Sequence, residues 1–164
     1  MERPGRRERR SVDWSAAVWS GLIAGIVFIT MTLTLVPAFR LGSPWEVVRM
    51  IAAIVLGPDV LYPPTIFDAG IFAVAMALHF SLSTLYSIVR VWIVEGWLTR
   101  LPAFVQGAFG LVIYLINFYG FTRIFPWFIE ARSWVVIFVH LSWGVVLPLA
   151  YDGLTGRRAG SRPT

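Results

Sequence analysis

Long apolar runs, separated by short polar stretches that carry arginine, divide this chain. The apolar segments cover residues 14–39, 67–94, 103–122 and 133–151. A helix needs about 20 apolar residues to cross the hydrocarbon core of a bilayer. The pattern therefore predicts an all-α integral membrane protein, a bundle of four transmembrane helices. A shorter unit lies between the first two spans. Ser43-Pro44-Trp45-Glu46 reads as a helix start, with Ser43 as cap, Pro44 in the first position and Glu46 in the third. This helix is expected to run to about Leu56 and to stop at Gly57-Pro58. It is too short to span, which predicts a helix lying in the outer interface or re-entering the bilayer.

Polar residues inside the spans are few and ordered. Counting 100° per residue from Asp68, the side chains of His79, Ser83, Tyr86 and Arg90 fall within about 60° of it. Lipid cannot satisfy such a stripe, so it must face protein, water or a ligand. On the third span Gln106, Gly110, Tyr114 and Asn117 share a face, and on the fourth Ser133, His140, Gly144 and Tyr151 do so. Small residues mark expected helix contacts: Gly21, Ala24 and Gly25 on the first span, Gly107 and Gly110 on the third, Gly144 on the fourth. Asp13 is the expected cap of the first span.

His79 and His140 are the chain's two imidazoles, and both fall at mid-span. A pocket of His79, His140, Asn117, Tyr86 and Tyr114 is the expected site. Two neutral histidines could ligate a haem or a copper ion. Histidine and asparagine could instead hydrogen-bond a quinone or a lipid headgroup. A proton relay through Asp68, His79, Tyr86 and Arg90, in a small proton or solute conductor, is a further alternative. Against these stands plain helix-to-helix bonding, with Asp68 as a helix cap and Arg90 snorkelling to the interface.

Composition agrees with a membrane. Charged residues make up 14% of the 164 residues, against about 25% in soluble domains. All the basic charge is arginine, 14 residues with no lysine. The calculated pI near 10.4 does not point to nucleic acid, because the arginines sit at segment ends rather than along one face. They divide the chain into a basic, disordered arm (1–13), a membrane domain (14–151) and a basic tail (152–164). With both termini inside, ten arginines fall on the inner side and four (Arg40, Arg49, Arg123, Arg132) on the outer. The positive-inside rule then favours cytoplasmic termini. Cysteine is absent, which excludes disulfides, thiolate ligands and a cysteine nucleophile. No cleavable-looking signal and no hydrolase, kinase or nucleotide motif is present. The expected function is non-enzymatic: packing in the bilayer against itself or a larger membrane complex, with the small-residue patch of the first span and the tryptophans as contact surfaces.

The last three spans resemble the YagU-type family of small bacterial inner-membrane proteins. The likeness lies in His79-Phe80-Ser81, Val105-Gln106-Gly107 and His140-Leu141-x-Trp143, and covers roughly residues 75–152. The resemblance implies a bacterial inner-membrane location. It implies no reaction and brings no catalytic residues.

Overall fold

The computed structural model describes residues 12–97 and 103–156. The ends of the expected arm and tail, and the turn that carries Arg100, lie outside the described residues. Among those described, four helices are long and apolar enough to cross a membrane. Helix α1 spans Trp14–Ala38, α3 Ala69–Trp97, α4 Ala103–Leu115 and α5 Trp134–Leu154, with the short α2 at Pro44–Leu56.

The caps follow local chemistry. Asp13 accepts a hydrogen bond from the Ala16 amide at 2.9 Å, and Ser133 accepts from Val136 at 3.3 Å. Ser43 accepts from Trp45 at 3.2 Å and starts α2, which Gly57 closes at φ 88°. Asp68 accepts from the Ile71 amide at 2.9 Å and lies exposed at the mouth of α3. It is a helix cap, separated from His79 by nearly three turns of apolar helix. Helical angle placed it in the polar stripe, but depth along the axis removes it.

Around the bundle the order is α3, α1, α5, α4, each packed closely on the next, while α4 and α3 make little close backbone contact. Both ends of the described chain meet on one side, where the Asp13 amide reaches the Tyr151 hydroxyl at 3.3 Å. Helix α2 lies on α3 and touches α1, packing the buried Val48 and Ala52 with Ala75. Arg49 is buried too. Its guanidinium donates to the carbonyls of Val60 (2.7 Å) and Ile66 (2.8 Å) and fastens the following loop to α2. It is a staple inside the protein rather than a charge offered to the membrane surface.

The third span departs from the continuous helix expected over 103–122. After Leu115 the backbone widens into a π turn at Ile116–Gly120, then tightens into a 3-10 turn at Phe121–Arg123. The Phe118 carbonyl accepts from Arg132 Nε at 2.8 Å, and the Arg132 guanidinium lies 4.1 Å from the Tyr119 ring centroid. A cation there complements the negative end of the helix. The chain beyond the span thus holds the irregular turn in place.

Candidate functional site

Helix α3 meets α1 through a ladder of donors four residues apart. The His79 Nε2 atom lies 2.9 Å from the Gly25 carbonyl oxygen. The Ser83 hydroxyl donates to the Gly21 carbonyl at 2.8 Å and the Ser87 hydroxyl to the Ala17 carbonyl at 2.7 Å. The acceptors are also four apart, because antiparallel helices advance together, one turn per rung. The small residues make the ladder short enough. A Cβ on Gly21 would lie 2.8 Å from the Thr84 Cα and 2.9 Å from the Ser87 Cβ. The patch on the first span is therefore filled by α3. Ala24, its other member, packs with Ile113, Trp143 and Leu147. The patch is not a surface free for a partner, as the sequence led us to expect, because the chain uses it internally.

A second tight crossing joins α4 to α5. A Cβ on Gly144 would lie 2.7 Å from the Gly110 nitrogen and 2.8 Å from the Gly107 oxygen. This brings the start of α5 under the π turn and encloses His140. The His140 Nδ1 atom lies 2.8 Å from the Val136 carbonyl oxygen of its own helix. The ring sits edge-on to Phe28 (centroids 4.8 Å apart), Tyr114 (5.4 Å) and Phe118 (5.6 Å). Phe28 also contacts His79, at 5.3 Å.

The structure thus brings His79, His140 and Tyr114 into one aromatic cluster, with Phe28 touching both imidazoles. Tyr86 and Asn117 form a neighbouring pair: the Tyr86 hydroxyl donates to Asn117 Oδ1 at 3.1 Å. Trp143 joins the two groups, donating to Ser83 Oγ at 2.9 Å and stacking on Phe109 at 6.0 Å. Arg90 stands nearer the terminal end of the bundle. It is buried rather than snorkelling, with its guanidinium on the Gln106 side-chain oxygen.

What can this arrangement do? One nitrogen of each imidazole is committed to a carbonyl, and Phe28 fills space beside both rings. A haem or copper ion shared by the two rings would have to displace Phe28. Among the described residues, no three His, Asp or Glu side chains converge as metal ligands. A relay starting at Asp68 would have to cross the apolar helix between it and His79. The residues that sequence reasoning missed are Ser87, Phe28, Phe118 and Trp143. Ser87 carried a signal, since it continues the four-residue spacing of His79 and Ser83. Phe28 and Phe118 carried none, being apolar residues among many, and Trp143 stood out only in the stretch that carries the family resemblance.

Comparison of the chain with protein-family models, curated proteins and solved structures finds no match. The resemblance to the YagU-type proteins gains no support from them.

Proposed function

We propose that this is a non-enzymatic, multi-pass protein of a bacterial inner membrane, with both termini cytoplasmic. It serves as an accessory or structural subunit and associates with a second copy or with other membrane subunits. One observation carries this reading: the polar row of α3 is spent on holding helices together. His79, Ser83 and Ser87 each bond a carbonyl of α1. An enzyme or conductor would keep such groups for substrate, ion or water. The arginine distribution supports cytoplasmic termini, and the exposed Trp14, Trp19, Trp92 and Trp134 suit interfacial belts at the two ends of the spans.

Affinity purification of the full chain from native membranes in mild detergent tests the role. The expected result is a stoichiometric membrane companion or a homo-oligomer that survives size exclusion. A monomer without companions, both in detergent and after native nanodisc extraction, overturns it. Protease protection of tags at the two termini tests the orientation, and cleavage from the periplasmic side overturns that part.

A further inference from the structure

The short helix α2 carries its polarity the wrong way round for a helix on a watery surface. Val48, Arg49, Ala52 and Ala53 share one side and are buried. Val47, Met50, Ile51, Ile54 and Val55 occupy the other, and Val55 is 63% exposed. The arginine faces the protein and the apolar row faces out, the reverse of an interfacial helix with water above it. Glu46, the other charged residue of α2, lies in its first turn beside Gly42. The limb that follows exposes Tyr62, Ile66 and Phe67, and its one charge before Asp68 is Asp59. The spans set the depth of this unit. Val48 and Ala52 pack with Ala75 of α3 and with Leu33 of α1. Leu33 lies about 8 Å along the axis from the Ala38 end of α1. The 25 residues of α1 make it about 38 Å long, so about 4 Å overhangs a core of roughly 30 Å at each end. The contact therefore falls inside the hydrocarbon, in the leaflet away from the chain ends.

We propose that α2 and the limb behind it lie among the acyl chains of that leaflet, with lipid against Val47, Ile51, Ile54 and Val55. The backbone of the limb is prepared for such a place. Irregular backbone survives at membrane depth only where the protein itself satisfies it. Arg49 does so, with Nη1 donating to the Val60 carbonyl at 2.7 Å, and Nη2 and Nε donating to the Ile66 carbonyl at 2.8 and 3.2 Å. On a watery surface solvent would meet those carbonyls, and burying a guanidinium to reach them would only cost desolvation. Lipid rather than a second protein is the occupant, because membrane helices approach one another through small residues. The outward row of α2 has none, while Ala52 and Ala53 lie on its inward side. Asp59 marks the upper edge of the unit: a carboxylate is costly among acyl chains, so this end of α2 reaches the headgroups. The inference rests on the spans crossing a bilayer, and not on the accessory role.

Nitroxide labels on single cysteines test it, in the full chain reconstituted into phosphatidylcholine vesicles. The variants are Val55→Cys on α2, Asp59→Cys at its end and Leu85→Cys on the exposed face of α3. Oxygen, which concentrates in hydrocarbon, and a water-soluble nickel chelate, present on both sides of the vesicle, serve as relaxing agents. The label at Val55 is expected to match the one at Leu85, relaxed by oxygen and spared by nickel, while nickel relaxes the label at Asp59. Nickel relaxation at Val55 with Leu85 spared overturns the proposal and leaves the spans in the bilayer, since α2 would then face water. A Val55 label shielded from both agents overturns it as well, because protein would cover that face. Nickel relaxation at Leu85 removes the membrane reading and the proposal together. If Val55→Cys fails to assemble, a label at Leu56, also exposed, takes its place and is read in the same way.

Discussion

Helix α3 shows two faces to its neighbours, and they are built on different plans. Toward α1 it offers His79, Ser83 and Ser87, short donors that meet backbone carbonyls across small residues. Toward α4 it offers Tyr86 and Arg90, long side chains that reach Asn117 and Gln106 across a gap. Within a bilayer no hydrophobic force drives helices together, so contact depends on close packing and on hydrogen bonds. Where glycine and serine face one another, backbones meet. Where tyrosine and arginine face asparagine and glutamine, the bonds form but the backbones stay apart. Helix α4 is not itself unable to pack closely, since Gly107 and Gly110 meet Gly144 of α5 on its other side. The open seam is thus a consequence of which residues face each other.

The strongest way to break the comparison is to put bulk into the sealed face. Gly21→Leu should force α1 and α3 apart, because even a Cβ there would lie 2.8 Å from the Thr84 Cα. The expected cost is about 3 kcal/mol, or failure to fold. Val112→Leu on the rim of the open seam should stay within about 0.5 kcal/mol. Reversible unfolding in mixed detergent micelles measures both. Equal losses would mean that the two seams are packed alike. Ser83→Ala is the next largest effect. It removes the bond to Gly21 and leaves Trp143 Nε1 without its partner, for an expected loss of about 1–2 kcal/mol. His79→Leu follows at about 1 kcal/mol, since one bond to Gly25 is lost while the carbonyl keeps its own helix partner. A loss well above that would give the His79 ring a role that the ladder does not contain.

Local chemistry explains how much of this was legible in the sequence. Helix α2 was readable end to end, because Ser43, Pro44 and Gly57 act within a turn of their own positions. Membrane-length spans were readable from hydropathy, for the same reason. The ladder was half readable: His79 and Ser83 stood out on a polar stripe, but its partner is a row of carbonyls, which every residue has. Asp68 entered the stripe by angle, yet a capping bond to its own helix settled its place. The π turn was not readable, because it depends on Arg132 reaching back to Phe118 from beyond the end of the span. Nor was the open seam, since Gln106 and Asn117 look the same in a sequence whether they draw helices together or hold them apart.

The finest test concerns that last distinction. Tyr86→Phe deletes the bridge to Asn117 and little else, because the ring keeps its edge-on contact with Trp143, with centroids 6.4 Å apart. A hydrogen bond between membrane helices contributes about 0.6 kcal/mol on average, and a loss of that size is expected. Asn117→Leu should cost a similar amount, and the double variant about the same as either single one rather than their sum, because both remove the same bond. The chain contains no cysteine, so spin labels on cysteines placed at Val89 and Val112 would report the α3–α4 distance without a background. A bridge that draws the helices together should give a longer distance when it is cut. A bridge that props them apart should let the labels approach. The structure leads us to expect approach, because the two backbones are already held apart while the bond is intact. A longer distance would mean that the open seam is under tension and that Tyr86 restrains it.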